Sequence, residues 1–271
     1  MSRIAVCIPT RNDQNLPGNL GYPLACLALQ TFSDFTVYIR DEGKREAFAD
    51  RQLALVVNLL ATKGIDVRYW RTLDRRGVGY ARNEVFAAVR DEPYVLWLDD
   101  DMIIESDVVE KLYGAIHPHP KIGFVQGTKQ EIDVFKGYVN DINRMNENSG
   151  EHELVRLWFG DAALLLVRTQ ALREIDWSVL LRYQLDGLTG EDVAMSLMIA
   201  DRYEGWGVPE ARGWHLSPAA RRWQWEPHSD ALQAEMLRGK VSRDVIAKAI
   251  PHLAPFLPEE DGRDAGDPVA P

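Results

Sequence analysis

The chain has 271 residues, of which 46 % are hydrophobic and 27 % are charged, and its formal net charge is -10. This composition is typical of a globular protein, and the length suffices for one large domain with a substantial hydrophobic core. The negative charge argues against a broad nucleic-acid-binding surface, because surfaces that bind phosphate backbones are usually basic.

The sequence predicts neither a secretory signal nor a membrane-spanning segment. The apolar run near the N-terminus is too short for a signal peptide, and no stretch approaches the roughly 18 apolar residues that a spanning helix needs. The two cysteines, Cys7 and Cys26, lie within apolar patterns, so we interpret both as reduced core residues rather than as a disulfide or zinc ligands. We therefore expect a cytoplasmic protein whose oligomeric state the sequence does not indicate.

Short apolar runs alternate with segments of helical periodicity through the first part of the chain. The predicted strands are 4–8, 35–39, 67–70 and 94–98, and the predicted helices are 20–29, 47–60, 78–89 and one that Ser106 caps and that contains Val108, Leu112 and Ile116. This alternation predicts βαβ units and a mostly parallel sheet with helices on both faces.

The second part of the chain has a less regular pattern. We predict a strand at 122–125, one or two strands over 154–168 with a break at Gly160, and a helix over 191–203. The segment 133–153 is polar and rich in Asn, which favours a long loop or an irregular helix. The acidic segment 258–271 contains Pro and Gly and is predicted to be disordered.

Polar residues follow each of the four predicted strands of the first part. Ligands of parallel sheets bind beyond the carboxyl ends of the strands, so these residues are candidates for a binding site. They are Pro9, Thr10 and Arg11 after the first strand, Asp41 after the second, Arg71 after the third, and Asp99, Asp100 and Asp101 after the fourth.

The aspartate triplet indicates a divalent cation. Three adjacent carboxylates at the end of a buried strand repel one another, and hard cations such as Mg²⁺ or Mn²⁺, which prefer carboxylate oxygens, would offset that repulsion. Asp99 and Asp101 are two residues apart, so we expect both to face the ligand while Asp100 points elsewhere. The alternative is a turn in which one aspartate caps the next helix and the others face water.

Several short motifs follow one another in an order that is specific as a set. They are Val-Cys-Ile-Pro-Thr-Arg-Asn at 6–12, Asp41, Gly-Val-Gly-Tyr-Ala-Arg-Asn at 77–83, Leu-Asp-Asp-Asp at 98–101, Gly-Glu-Asp at 190–192 and Trp-His at 214–215. This set, which spans about residues 3 to 216, resembles the family 2 glycosyltransferases with the GT-A fold. Two features depart from the family pattern: Arg-Asp-Glu-Gly at 40–43 replaces the commoner Asp-Asp-Gly-Ser, and Gly77 and Gly79 stand where one glycine is expected.

The resemblance implies a Rossmann-like α/β domain over 1–257, with a nucleotide-binding half at 1–105 and an acceptor half at 106–257. It also implies a metal-dependent, inverting transfer from a nucleotide diphosphate sugar to an unidentified acceptor. Uridine diphosphate is the default donor nucleotide, with guanosine and thymidine forms open. The donor-binding residues would be Pro9, Thr10, Arg11, Asp41, Arg71, Gly77, Arg82, Asp99 and Asp100, the ligands of Mn²⁺ or Mg²⁺ would be Asp101 and His215, and the catalytic residues would be Asp192 as base and Glu191 as a positioning group.

Some of these residues also permit structural interpretations. Arg82 could orient a carboxylate, meet a phosphate or form a structural ion pair that fixes the aspartate loop. Glu191 or Asp192 could cap a helix, and His215 could be a satisfied core residue. The aromatic segment 158–161 suits either sugar stacking or core packing. The segment 221–226, Arg-Arg-Trp-Gln-Trp-Glu, suits either a lid over the diphosphate or a surface loop.

Two other functions compete with sugar transfer. A sugar-phosphate nucleotidyltransferase would also use aspartates and Mg²⁺, but it usually needs a glycine-rich basic loop after the first strand. Pro-Thr-Arg-Asn-Asp at 9–13 is not such a loop. The other alternative is a catalytically silent protein that binds nucleotide sugars.

Overall fold

The computed structural model describes residues 3–11, 20–74, 76–132, 139–141, 154–185, 190–216, 234–235 and 237–256. The predicted tail at 258–271, the candidate lid at 221–226 and most of the predicted loop at 133–153 lie outside these residues.

The first part of the chain forms four parallel strands. They are β1 (Ile4–Thr10), β2 (Phe35–Asp41), β3 (Val67–Arg71) and β4 (Tyr94–Leu98), and they lie in the spatial order β3-β2-β1-β4. Nearly every residue of β1, β2 and β4 is buried, which explains why these strands are almost continuous apolar runs in the sequence. Because the four strands are parallel, their carboxyl ends meet at one edge of the sheet.

Helices cover both faces of the sheet. The first three connect the four strands and are α1 (Gly21–Ala28), α2 (Arg51–Thr62) and α3 (Val78–Ala88), and α4 (Val108–Ile116) follows them in the chain. The helix predicted from residue 47 is a short 3₁₀ turn, Ala47–Ala49, followed by α2, because the Asp50 carboxylate accepts a hydrogen bond from Gln52 N at 2.8 Å and caps a new helix.

The predicted cap of α4 is wrong. The helix begins after Asp107, without a side-chain capping bond, whereas Ser106 uses its backbone carbonyl to accept a hydrogen bond from Thr31 N at 2.8 Å. Ser106 therefore ties the start of α4 to the end of α1.

The second part of the chain extends the same sheet with strands of both directions. The strands are β5 (Met102–Ile104), β6 (Ile122–Ile132), β7 (Val139–Asp141), β8 (Val155–Leu157), β9 (Leu164–Arg168) and β10 (Glu204–His215). The helices are α5 (Thr169–Arg173), α6 (Trp177–Leu185), α7 (Glu191–Ala200) and α8 (Arg243–Ala249). A 3₁₀ turn, Pro251–Phe256, follows α8. Strand β9 lies antiparallel between β4 and β6, and β10 pairs with β6 in parallel and with β5 in antiparallel. The predicted α/β class is confirmed, with a parallel first part and a mixed second part.

Two hydrophobic clusters fill the two faces of the sheet. One joins α3, α6, α7 and α8 to the face that carries Trp97, and the other joins α1, α2 and α4 to the face that carries Leu96. Neighbouring residues of a strand point to opposite faces, so both clusters share β4. Cys7 is a buried free thiol and Cys26 a half-buried one, in agreement with their prediction as reduced residues.

None of the helices in the described ranges has the length and apolar character required to cross a membrane.

Candidate active site

Two aspartates after β4 and the histidine that ends β10 form a compact group of possible metal ligands. Asp99, Asp101 and His215 are half-buried, and one ligand atom from each lies within 4.8 Å of the others. His215 Nε2 lies 2.9 Å from Asp101 Oδ1 and 3.8 Å from Asp99 Oδ2. Two carboxylates and an imidazole form a donor set that suits Mn²⁺ and similar divalent ions.

The backbone explains why residues so distant in sequence meet. Strand β10 pairs antiparallel with β5, with His215 opposite Met102, the residue after Asp101. Leu216 N then donates a hydrogen bond to the Asp101 carbonyl at 3.0 Å. The position of the histidine is therefore set by sheet pairing, which holds it beside the aspartate loop.

Asp100 points away from this group. Its carboxylate accepts a hydrogen bond from the buried Thr10 hydroxyl at the end of β1. Burial, together with the negative charge of Asp101, raises the pKa of Asp100 to about 7. Asp99 and Asp101 thus lie together while Asp100 joins the loops after β1 and β4.

Arg82 of α3 connects the aspartate loop to α7. Its side chain is 4 % exposed and forms ion pairs with Glu191 and, at 3.4 Å, with Asp99 Oδ1. These contacts favour the interpretation in which Arg82 orients carboxylates and holds the aspartate loop.

Asp192 lies in the first turn of α7, two residues after Gly190, which has a positive φ of 97°. Its carboxylate accepts hydrogen bonds from Ala162 N at 3.3 Å and Val193 N at 2.9 Å. Burial raises the pKa of Asp192 to about 7, and the negative charges of Glu191 and Asp161 add to the effect. This carboxyl group can therefore exchange a proton near neutral pH.

Lys129 and Asp161 form an ion pair in this site that the predicted site residues did not include. Lys129, on β6, is 6 % exposed, and its ammonium group donates to Asp161 Oδ2. The Lys129 charge lowers the pKa of Asp161 although burial opposes it. The sequence prediction ended this strand at Val125, where the apolar run stops, whereas β6 continues to Ile132. The sequence offered one signal for this ion pair: a lysine that follows the apolar run of a strand beside the site.

The aromatic segment before Asp161 packs on the protein itself. Trp158 lies against the first hydrophobic cluster, and the Lys248 ammonium and the Arg156 guanidinium each lie 5.1 Å from the centre of its ring. These contacts favour the packing interpretation of Trp158 over sugar stacking.

Asp41, at the end of β2, is completely buried and holds the following loop. Its carboxylate accepts hydrogen bonds from Gly43 N at 2.6 Å, Ala47 N at 3.1 Å and the Tyr69 hydroxyl at 2.8 Å. The side chain of Arg71 donates to the carbonyls of Gly43 and Lys44, at 2.8 and 2.7 Å, from the opposite side. Asp41 and Arg71, both predicted to bind the donor, thus hold the same loop, the one that follows β2.

The loops after β1 and β2 are in close contact. A Cβ atom on Gly43 would lie 2.1 Å from the Arg11 carbonyl oxygen, so only glycine fits there. Pro9 is half-buried and the Arg11 side chain is exposed at the same edge. Gly77, with a φ of 96°, begins α3 in a backbone conformation that favours glycine.

A buried arginine beside Asp41 was also missed by the sequence prediction. Arg40 is 1 % exposed and forms ion pairs with Glu42 and with Glu84 of α3. The Arg-Asp-Glu sequence that departs from the family pattern thus supplies an internal ion pair that braces the loop after β2.

We expect Asp41→Asn to lower the free energy of unfolding by about 2 kcal/mol. The amide group of asparagine would face groups that donate hydrogen bonds to Asp41, so at least one buried donor would lose its acceptor. Urea denaturation of both proteins measures the difference. Asp66→Asn, at an exposed position, is the control and should change the value by less than about 0.5 kcal/mol. Equal stability of Asp41→Asn and the wild type would show that the carboxylate does not hold this loop.

Acidic groups outnumber basic ones among the described residues of the site. The carboxyl groups of Asp99, Asp101, Asp161, Glu191 and Asp192 lie near the basic side chains of Arg82, Lys129 and His215. Carboxylate oxygens crowded in a half-buried site favour the binding of a divalent cation.

The sequence profile of Glycosyl transferase family 2 matches residues 5–177. No curated protein sequence matches the chain.

Solved structures with a similar fold include GalNAc-T7 with UDP, GalNAc and Mn²⁺, which has a TM-score of 0.60 and 12 % identity over 88 % of this chain and 48 % of that chain. S. aureus TarS 1-349 in complex with UDP has a TM-score of 0.60 and 15 % identity over 94 % of this chain and 70 % of that chain. A second TarS 1-349 structure, in complex with UDP-GlcNAc, has a TM-score of 0.58 and 16 % identity over 94 % and 71 % of the two chains. The predicted GT-A fold is confirmed, and the chain spans less than half of the GalNAc-T7 chain.

Proposed function

The chain belongs to Glycosyl transferase family 2, and on that basis we propose that it transfers a sugar from a nucleotide diphosphate sugar to an acceptor hydroxyl, with a divalent cation and with inversion at the anomeric carbon. The observation that carries this proposal is the group formed by Asp99, Asp101 and His215, which the backbone at 162–163 connects to Asp192. Ala162 N donates to Asp192, and the Ala163 carbonyl accepts from Asp99 N.

The three grouped side chains would hold Mn²⁺ or Mg²⁺. Their ligand atoms lie close enough together for one ion to contact all three, and two of the three are carboxylates. A bound cation would neutralise charge on the departing diphosphate. GalNAc-T7, a protein of the same fold, was crystallised with UDP and Mn²⁺, which supports this cofactor class.

Asp192 is the proposed base. It would take the proton of the acceptor hydroxyl while that oxygen forms a bond to the anomeric carbon and the electron pair of the broken bond leaves with the diphosphate. Glu191, held by Arg82, would contact the acceptor or fix the start of α7. A base with a pKa of about 7 suits proton transfer near neutral pH.

The proposed donor lies along the carboxyl ends of β1 to β4. Pro9, Thr10, Arg11 and the loop that Asp41 and Arg71 hold would line the nucleotide, with Gly77 allowing close backbone approach. The TarS structures with UDP and UDP-GlcNAc favour a uridine nucleotide as the first donor to test.

A thermal-shift screen of UDP-, GDP- and TDP-sugars, each with and without Mn²⁺, tests this function. Ligands that bind only the folded protein raise the apparent Tm, by an amount equivalent to about 2.7 kcal/mol at 100 times Kd. We expect at least one nucleotide sugar to raise Tm, and to do so more strongly with Mn²⁺. If no nucleotide sugar shifts Tm under either condition, the proposed function is wrong.

We expect the transfer rate at low substrate to rise as pH increases towards neutrality. Asp192 acts as a base only when deprotonated, and its raised pKa of about 7 leaves it protonated at lower pH. A nearby bound cation would stabilise the carboxylate, so the midpoint in the metal-loaded enzyme should lie at or below about 7. Rates measured from pH 5 to 8.5, with donor affinity determined in parallel, give the profile. A rate that stays constant over this range would be inconsistent with an Asp192 base.

A further inference from the structure

The segment 160–163, which leads into β9 and is called here the bridging segment, contacts both halves of the proposed reaction centre. Ala162 N donates to Asp192 Oδ2 at 3.3 Å, and the Ala163 carbonyl accepts a hydrogen bond from Asp99 N at 3.2 Å. The backbone of this segment therefore joins the proposed base to the first aspartate of the metal group.

The bridging segment is itself held by Asp161. One carboxylate oxygen of Asp161 accepts a hydrogen bond from Ala163 N at 2.8 Å, and the other accepts from the ammonium group of Lys129. The Lys129 side chain is buried on β6, whereas that of Asp161 is 38 % exposed. Strand β6 thus holds the segment through the Lys129–Asp161 ion pair.

The positive charge of Lys129 stabilises the Asp161 carboxylate in its position near the other carboxylates of the site. Asp161 lies close enough to Asp99 and Asp192 for its negative charge to repel theirs. Without a cation partner, like-charge repulsion would favour movement of the Asp161 side chain towards solvent. The Ala163 amide would then lose its acceptor.

A second contact holds the other end of the segment. The Ser196 hydroxyl, on α7, accepts a hydrogen bond from Gly160 N at 2.9 Å, and Asp161 N donates to Gln126 Oε1 of β6 at 3.1 Å. The bridging segment is therefore fixed between β6 and the helix that carries Asp192.

We infer that Lys129 is a positioning residue of the proposed transfer reaction: by holding Asp161, it fixes the bridging segment and with it the relative positions of Asp192 and Asp99. The inference rests on the proposed function for its catalytic consequence, whereas its consequence for metal binding can be measured without turnover.

Lys129→Met tests the inference, since methionine fills similar space without the charge. We expect Mn²⁺ affinity, measured by calorimetry, and kcat each to fall about tenfold, as for other residues that orient metal ligands. Loss of the ammonium charge alone would strengthen cation binding, so a fall in affinity reports the loss of positioning. At saturating Mn²⁺ the donor KM should stay within about twofold, because the loops proposed to line the nucleotide follow β1 to β3. Lys129→Arg, which keeps the charge, should recover most of both losses.

Further variants separate positioning from a general loss of structure. Asp161→Ala removes both the partner of Lys129 and the acceptor of Ala163 N, so it should lower kcat and Mn²⁺ affinity at least as much as Lys129→Met. The double variant should be no worse than Asp161→Ala alone, because both substitutions remove the Lys129–Asp161 ion pair. Ser196→Ala releases the other end of the segment and should lower kcat in the same direction. Lys240→Met breaks an exposed ion pair with Asp176 and should leave kcat and Mn²⁺ affinity unchanged.

Unchanged Mn²⁺ affinity and kcat in Lys129→Met would overturn the inference, as would additive losses in the double variant. If Lys129→Met does not fold, Asp161→Ala and Ser196→Ala decide by the same criteria. If the wild type binds Mn²⁺ but transfers no sugar, the proposed function fails while the measured metal affinities still test the positioning role.

Discussion

Asp192→Asn should lower kcat for sugar transfer by about 10³-fold, because an amide cannot accept the acceptor proton and general-base catalysis commonly contributes 10²- to 10⁴-fold. Asparagine keeps the shape of the side chain and can still accept one of the two hydrogen bonds from Ala162 N and Val193 N. We therefore expect the Kd for the donor and for Mn²⁺ to stay within about twofold of the wild type. Steady-state rates and donor titrations provide the two measurements.

Asp201→Asn is the matched control for this experiment. Asp201 lies at the other end of α7, is exposed, and accepts a hydrogen bond from Ser242 N that asparagine can also accept. Its kcat should equal that of the wild type. Unchanged turnover in Asp192→Asn would remove Asp192 from the mechanism, and donor binding without any turnover in the wild type would favour a silent binding protein.

Asp101→Asn should abolish metal-dependent activity. The variant removes one charged ligand from a group of three, and loss even of a residue that only orients a metal ligand commonly costs 10- to 100-fold, so we expect Mn²⁺ affinity to fall by at least about 100-fold. The His215 Nε2 atom, 2.9 Å from Asp101 Oδ1, would also face a neutral amide instead of a carboxylate. Calorimetry with Mn²⁺ and rates at saturating donor measure the two effects.

Chelation provides the complementary measurement for the wild type. Excess chelator should reduce transfer to the level of Asp101→Asn, and added Mn²⁺ should restore it. Asp91→Asn, at an exposed position beyond α3, should behave as the wild type in both assays. Full activity of the wild type in excess chelator would exclude a role of the metal in transfer.

The local elements of the first part of the chain were predictable because burial on both faces produces short apolar runs. The predicted strands at 4–8, 35–39, 67–70 and 94–98 each overlap an observed strand and differ from it by at most two residues at an end. The prediction for β6 ended too early, since polar residues such as Lys129 continue the strand where it borders the site. Periodicity detects burial against apolar neighbours and gives no signal for a buried ion pair.

The sequence predicted which polar residues lie near the strand ends better than it predicted what each of them contacts. Asp41 and Arg71 were expected to face a nucleotide, and the structure shows both engaged with the loop after β2. Arg40 and Lys129 were not predicted at all, although both are almost completely buried. Whether a charged side chain faces a ligand or another side chain depends on neighbours that are distant in sequence.

The amino-acid order by itself determined the α/β class, the family and the types of ligand atom available, because hydrophobic periodicity and short motifs are local properties. Only the tertiary structure decided that His215 lies against Asp101, that the backbone at Ala162 reaches Asp192, and that Lys129 holds Asp161. Each of these contacts depends on strand pairing and helix packing between remote segments. Distances of a few ångströms between such segments are properties of the assembled sheet and are not encoded in residue spacing.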